Sequence, residues 1–565
     1  MQLLWRHIFF CGLIAIFGCL LEDDSILAQS TIPSNLVPSV PFRPEESPRL
    51  LPPVEQLLTP RNPQIEPNRE IPDSTTTFVV QEFRVIGSTV FSAEELAAAV
   101  KSFTNRPISF AELLQARAAI ADLYIRSGYI TSGAFIPPQE TNNGSITIQV
   151  VEGKLEEIQI TGTNRVNPNY IRSRLEIATG APLNRDRLLN ALQLLQLDPL
   201  FTFVSSELKT GSQLGTSILA VKVDEANSFN VRASIDNYAS PSVGQLSRQV
   251  EISDRNLLGL GDRIIATYGN TDGRNQYNLG YTLPVNAYNG TLSFLFSNTN
   301  SNVVESEFKI LDIYSNSTNY ELTFRQPLIQ TPAQEFALGL TASHSDSFTT
   351  LLKLPIPLSA GSDDFGKTKL SALRFFQDYT QRSNEDVIAL RSQISLGLGG
   401  FLNSTVNLKS PDSSFVAWRG QLQYIRALAE DTLLIVSGGL QFADRPLPAA
   451  EKFSLGGSQT GRGYRQDVLV GDSGMNVSLE ARFPIARVPE LQGLLQLVPF
   501  IDLGSVWNND GSASTSNWIL GTGLGLRWQM GDRLTAKLDY GLPLISIRNN
   551  RQDNNIYFSL SYKLF

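Results

Sequence analysis

The chain has 565 residues, too many for one compact domain and enough for about three. Charged residues make up 18%, below the ~25% of ordinary soluble proteins. No stretch beyond residue 28 reaches the ~18 continuous apolar residues of a spanning helix, so a membrane β-barrel remains open. The formal net charge is −8, and −6 without residues 1–28, which carry one cation, Arg6, and three acids, Glu22, Asp23 and Asp24. That argues against a nucleic-acid binder held by phosphate contacts. Cys11 and Cys19 are the only cysteines, so the remaining chain has neither a disulfide nor a thiol nucleophile.

Residues 1–28 read as a secretory signal peptide. Arg6 and His7 precede the apolar run Ile8 to Leu21, and Ala28 offers a small residue for cleavage. Residues 29–77 form a Pro-rich linker, with prolines from Pro33 to Pro72 spaced too closely for helix or central strand. Leu50 to Leu58 is its one stretch with short helical character. The linker reads as a tether, with partner binding or pore plugging as the alternative.

Residues 78–153 predict a β-α-α-β-β module. Phe78 to Val85 is a strand ended by Gly87. Ser92 and Glu95 form a capping box for a helix reaching about Phe103. A second helix spans Ser109 to Ser127, with Leu113, Ala116, Ile120 and Tyr124 on one face. Ala134–Ile136 and Ser145–Gly153 are strands. The order repeats over residues 154–226. Leu155–Thr161 is a strand, and Asn167 caps the helix Pro168–Leu175. Arg185–Leu195 is a second helix, followed by strands Phe201–Thr210 and Ser217–Val223.

These repeats resemble polypeptide-transport-associated (POTRA) domains. The ending Val150-Val151-Glu152-Gly153-Lys154, followed by Ile158 and Gly162, resembles the junction of the paired domains in two-partner secretion transporters of the outer membrane. Such a fold leaves a sheet edge beside a helix, to which an extended client can add a strand.

From residue 227 to Phe565 the pattern changes to segments of 9–13 residues that alternate apolar and polar, divided by Gly, Asn, Asp and Ser clusters. This is the signature of barrel strands. The count is sixteen, including Asn319–Gln326 and Glu335–Ser343. Long connections are expected near Asn298, Thr349 and Arg445. With the modules in the periplasm, Arg445–Ser473 becomes the sixth outer loop, after strand eleven. Its glycines permit tight turns, and its tip reads Gly461-Arg462-Gly463-Tyr464-Arg465.

That tip resembles the Arg-Gly-Tyr hairpin of the same superfamily. Gly461 stands where a valine is usual. The second motif, Phe-x-Asp-x-Gly, is present as Phe500-Ile501-Asp502-Leu503-Gly504. Leu495, Leu497, Ile501 and Leu503 would face lipid, placing Asp502 in the lumen, where a carboxylate is tolerated. The resemblance implies that the loop folds inward and that Arg462 meets Asp502. Glu480 has lumenal parity on strand twelve and is a second candidate acid. The turn Asn256-Leu257-Leu258-Gly259-Leu260-Gly261-Asp262 also resembles the family. Phe565 resembles a common outer-membrane terminus read by the barrel-insertion machinery.

Gly471-Asp472-Ser473-Gly474 is similar to a serine-protease motif, but that chemistry needs a histidine base. The two histidines are His7 and His344, the latter expected in the pore or a loop, so no typical metal site is expected. No phosphate-cradling loop appears. The resemblance implies a transporter, and no catalytic residue, cofactor or metal is expected. By resemblance, its periplasmic modules capture a large unfolded secreted exoprotein and the barrel exports it through outer-membrane lipid. A barrel-assembly factor of the same superfamily is the alternative, and a passive porin the third reading.

Overall fold

The computed structural model describes residues 58–59, 77–139, 144–407, 411–509, 517–547 and 555–565. The segment expected to be a signal peptide, and all of the expected linker except Leu58, Thr59 and Thr77, lie outside the described residues.

The first described element is a strand, β1 (Leu58–Thr59); the stretch expected to have short helical character, Leu50–Leu58, lies outside the described residues except for Leu58. The first module comprises β2 (Phe78–Val80), β3 (Glu82–Ile86), α1 (Ala93–Val100), β4 (Arg106–Ile108), α2 (Phe110–Arg126), β5 (Gly133–Phe135) and β6 (Ser145–Val151). The expected single strand Phe78–Val85 is broken at Gln81. Val80 and Phe83 are both in the core, and residues three apart in one straight strand would face opposite sides. The chain therefore changes phase. β2 pairs with β4, while β3 lies parallel to β6 in a sheet of order β3-β6-β5. Capping boxes start both helices, Ser92 with Glu95 and Ser109 with Glu112.

The second module follows as β7 (Lys154–Thr161), α3 (Pro168–Ala178), α4 (Arg185–Leu197), β8 (Phe201–Thr210) and β9 (Thr216–Glu225). Asn167 caps α3, with Pro168 in its first turn. Ile171, Leu175, Leu188 and Leu192 pack against Leu219, Val221 and Val223 of the sheet, which is ordered β1-β8-β9-β7. Backbone bonds join the modules: Leu183 N donates to Gly153 O at 2.7 Å and Arg185 N to Gly128 O at 2.8 Å.

The remaining chain closes into an antiparallel barrel. Its strands begin with β10 (Phe229–Asp236), β11 (Ser247–Asp254), β12 (Arg263–Asn270), β13 (Arg274–Pro284), β14 (Thr291–Asn302), β15 (Tyr314–Gln330) and β16 (Gln334–Leu351). After the short β17 (Leu354–Pro355) come β18 (Lys367–Arg382), β19 (Asp386–Gly397), β20 (Val416–Ala429) and β21 (Thr432–Ala443). A loop carrying β22 (Phe453–Leu455), α5 (Gly457–Thr460) and β23 (Leu469–Gly471) precedes β24 (Ser473–Val488). The wall ends with β25 (Gly493–Trp507), β26 (Trp518–Met530), β27 (Leu534–Pro543) and β28 (Ile556–Lys563), which pairs with β10. β17 pairs only with β16, so the wall has 16 strands.

Leu322, Phe324, Leu340, Val477, Leu479, Ile501, Leu524 and Leu538 are exposed on the outer surface. This is the apolar band that lipid requires. Trp418, Phe442 and Trp507 cluster where β20, β21 and β25 approach the outer loops, with ring centroids 5.8 to 6.0 Å apart along the series. β15 and β16 run well beyond the predicted Asn319–Gln326 and Glu335–Ser343. Their extensions carry Ser, Thr and Asn on both faces, so they lack the alternation that reveals a strand. Only residues 303–313 separate β14 from β15, and the long loop expected from Asn298 is not present. His344 also departs from expectation. It lies within β16, on the outward parity of Leu340 and Ala342, with Nδ1 2.9 Å from Ser371 Oγ.

The second module rests on the periplasmic turns. Arg165 donates to Ser228 Oγ at 2.6 Å, Asp254 Oδ2 at 3.0 Å and Asn256 O at 3.0 Å. Asn167 N reaches Gly259 O at 2.8 Å. Gly261 lies so close to Tyr170 that an added Cβ would be 2.3 Å from its ring. The turn Asn256–Asp262 is thus the seat of the module.

Candidate functional site in the barrel lumen

The loop between β21 and β24 folds into the lumen and has its own structure. β22 and β23 pair antiparallel. Phe453, Leu455 and Tyr464 form a small core with Val506 and Ile519 of the wall. Gly504 makes room for it, since a Cβ there would be 2.8 Å from Leu455 Cδ1. The root is held by the buried Asp472, which accepts from Leu447 N and Asn509 N, both at 2.9 Å. Ser473 Oγ accepts from Ala443 N. The protease-like tetrapeptide therefore serves as a loop anchor.

Arg462 at the tip is buried. Its Nε donates to Asp502 Oδ2 at 2.8 Å and its Nη2 to Asp502 Oδ1 at 2.9 Å. Its main-chain N adds a third bond to Oδ2 at 2.9 Å. Nη1 reaches Glu480 Oε2 at 3.0 Å, and Nη2 reaches Ser478 Oγ at 3.1 Å. Ser478 Oγ in turn donates to Asp502 at 2.7 Å. The guanidinium lies over the Phe500 ring, 3.5 Å from its centroid. Phe500 thus shields one face of the fork while the acids take its edge. The expected partners Phe500, Asp502 and Glu480 all converge on Arg462.

The cluster extends further than the sequence indicated. Glu480 is also bonded by Arg482 at 2.8 Å and lies 3.6 Å from Arg527. Arg527 forms a two-point pair with Asp539. Three guanidiniums, of Arg462, Arg482 and Arg527, face three carboxylates, of Glu480, Asp502 and Asp539. Formal neutrality lets this many charges sit together away from water, because each is paired and hydrogen-bonded.

Gly463 and Tyr464 set the backbone against the neighbouring wall strands β26 to β28. Gly463 has φ +100°, and a Cβ would meet Leu542 C and Pro543 N at 2.8 Å. Gly461 is extended, and a Cβ there would be 2.3 Å from Ile519 Cδ1. The Tyr557 hydroxyl donates to Tyr464 O at 2.7 Å and accepts from Gly463 N at 3.0 Å. The Tyr464 hydroxyl accepts from Leu520 N and Ile545 N, both at 3.1 Å. Gly521 and Gly541 clear the wall beneath the tip, where any Cβ would lie 2.1 Å from Arg462 O or 2.4 Å from Gly463 N. Tyr557, Gly521 and Gly541 were not singled out from sequence. Their signal was weak: lumenal parity on β26 to β28.

A second fastening spans the lumen. Arg465 pairs with Glu305 in the β14–β15 loop at 2.9 and 2.6 Å. Phe565 lies beyond β28 and is exposed. Leu564 N bonds Val231 O at 2.8 Å, so the terminus is fastened to the first barrel strand.

Two POTRA domains, a 16-stranded barrel and a loop latched inside it define a transporter of the outer membrane, with its amino-terminal domains in the periplasm. The chain belongs to the haemolysin secretion/activation protein family (ShlB/FhaC/HecB), whose model matches residues 215–528. ShlB-type POTRA and surface antigen variable number repeat models match residues 78–153 and 154–226. The chain is 22% identical over 480 residues to the outer membrane transporter CdiB of Dickeya dadantii (strain 3937), covering 83% of each protein. It is 23% identical over 477 residues to the hemolysin transporter protein ShlB of Serratia marcescens, covering 81% of each. Among solved structures, CdiB from Escherichia coli superposes with a TM-score of 0.69 at 21% identity, over 88% of this chain and 93% of that one. BamA from Haemophilus ducreyi lacking POTRA domains 1–3 gives 0.52 at 16% identity, over 86% of this chain and 100% of that one. Members of the family are two-partner secretion transporters, acting with a large secreted partner protein.

Proposed function

We propose that this chain captures one large exoprotein, unfolded, through its POTRA domains and exports it through the barrel lumen. The working partition is residues 78–153 and 154–226 for capture and 227–565 for passage. The pore-lining loop is the observation that carries this reading. A loop held by Arg462, Asp502 and Glu480 lies inside a barrel whose periplasmic mouth bears the two modules. A passive pore has no use for either. The Arg462–Asp502 pair is a structural latch rather than a catalytic group. Signal-directed export brings the chain to the periplasm, and the insertion machinery reads Phe565.

The barrel-assembly reading shares the fold, and the BamA likeness is of that kind. Two modules and the match to the secretion family favour dedicated export. Deleting residues 78–226 tests the proposal. The truncated barrel is expected to insert yet release no exoprotein into the medium. Continued export from it would overturn the capture step.

A further inference from the structure

The lipid face of the barrel ends differently on its two sides. On β20, β21, β25 and β26 it ends in aromatic rings, with Trp418, Phe442, Trp507 and Trp518 at or near the outer strand ends. On β12 to β15 it ends in amides. Asn270, Asn275, Asn300 and Asn316 stand opposite one another in a single row across these strands. They share the outward parity of the exposed Tyr268, Tyr277, Phe294 and Leu322. Phe348 of β16 continues the row.

The row begins at the level of the lipid headgroups. β12 has 8 residues, so at an ordinary barrel tilt it rises only about 20 Å. That is no taller than the ~25 Å apolar band of such barrels, and Asn270 is its last residue. Tyr268 and Tyr277, two positions back along β12 and β13, meet with ring centroids 5.1 Å apart, in the place of a girdle.

Bonds hold the amides in position. The Tyr268 hydroxyl donates to Asn275 Oδ1 at 2.9 Å, and the Tyr314 hydroxyl to Asn300 Oδ1 at 3.0 Å. Asn300 Nδ2 donates to Asn298 Oδ1 at 2.9 Å, and Asn316 Nδ2 donates to Asn300 Oδ1. The Asn275 side-chain nitrogen and the Asn316 side-chain oxygen have no partner among the described residues. One donor and one acceptor are thus left on the outward face. The amide row carries no charge, and cations stand only at its margins. Arg248 and Lys369 are already paired, with Asp272 at 3.2 Å and Asp346 at 3.6 Å, and Lys367 lies beyond Phe348. A phosphate headgroup calls for free cationic forks. A sugar calls for neutral groups that both donate and accept, as asparagine does, and for a ring to cover its C–H face.

We infer that the outward row of Asn270, Asn275, Asn300 and Asn316, ended by Phe348, is a docking site for the sugar headgroup of an outer-leaflet glycolipid of the lipopolysaccharide class. The acyl chains lie along the apolar face below it, and the sugars rest on the amides. The barrel therefore holds this lipid on one side, and the indole-edged side does not.

Fluorescent rough lipopolysaccharide titrated into the full chain in detergent tests the site. Saturable binding is expected, little changed by about 0.5 M salt because the contacts are neutral. It is expected to weaken about tenfold or more in the variant Asn275→Ala, Asn300→Ala, Asn316→Ala. Trp418→Ala, on the other side, should bind as wild type does, and phosphatidylglycerol should not compete. Heat-modifiability checks that each variant is a folded barrel. If the triple variant does not fold, Phe348→Ala, which leaves the amide bonds in place, takes its part and is expected to weaken binding. Absent saturable binding, undiminished binding by the folded row variant, equal weakening by Trp418→Ala, competition by phosphatidylglycerol, or loss of binding in salt would each overturn the assignment.

Discussion

Arg462 and Asp502 are joined by three bonds, two from the guanidinium and one from the main-chain amide of Arg462 itself. The arginine therefore fixes the loop's backbone and its side chain to one carboxylate. Removing the side chain leaves the amide bond but strands a buried charge, because among the described residues Asp502 then keeps Ser478 and that amide. Glu480 differs, since Arg482 and Arg527 remain beside it.

Arg462→Ala is accordingly expected to impair export more than folding. The barrel wall retains its ladder, whereas the loop loses its main anchor. Secretion assays beside heat-modifiability of the inserted barrel check this. In a double-mutant cycle with Asp502→Ala, the coupling is expected at about 2 kcal/mol, because the pair is buried and removing either partner alone leaves a charge unpaired. Normal export by correctly inserted Arg462→Ala protein would remove the latch from the account.

Gly463→Ala is expected to expel the tip. Its φ of +100° disfavours any Cβ, and the space is taken by Leu542 and Pro543. Gly541→Val attacks the same contact from the wall. Limited proteolysis of intact cells should show the loop newly accessible in both. The Gly461 position responds differently, because its backbone is extended and the tightest contact a Cβ would meet there is the far end of the Ile519 side chain, with Gly456 Cα next at 3.3 Å.

Tyr557→Phe removes a hydroxyl that bridges Gly463 N and Tyr464 O. The two groups lie buried, so the expected cost is about 1–3 kcal/mol. The rise in the loop's cleavage rate by protease, compared with wild type on the inserted barrel, measures it, and urea unfolding of the barrel is the control. A loss confined to the loop's protease resistance, with an unchanged barrel transition, is the specific outcome expected.

In the first POTRA domain, Glu152 accepts from Thr89 N, Thr89 Oγ1, Val90 N and the Tyr124 hydroxyl. Partial burial raises its pKa, but these bonds outweigh burial and hold it below the ordinary 4.5. The same burial, with the carboxylate beside it, pushes the Tyr124 phenol up to about 12. A depressed carboxylate stabilises the fold above its unfolded pKa, and that contribution is lost as pH falls through the folded value. Glu152→Gln is therefore expected to destabilise the 78–226 fragment at neutral pH. The difference from wild type should shrink below about pH 4. Urea unfolding followed by circular dichroism at several pH values tests the sign.

The modules and strand count were legible because local signals agreed. Ser92-x-x-Glu95 and Asn167-Pro168 announce helix starts, and alternation of Val477, Leu479 and Phe483 announces a lipid face. Arg462, Asp502 and Glu480 were legible through motif and parity. Arg527, Asp539 and Tyr557 were not, because barrel closure brings β26 to β28 under a loop that precedes them by some sixty to ninety residues. The phase change at Gln81 depends on Val80 and Phe83 sharing a core. β1 is too short for any periodicity to reveal it.

The central claim, dedicated export of a partner, is tested most directly by comparing the proteins released by cells with and without this chain. The account predicts that one or two large exported polypeptides disappear from the medium while other outer-membrane barrels keep their levels. A general fall in outer-membrane barrels, or an unchanged set of released proteins, would contradict it.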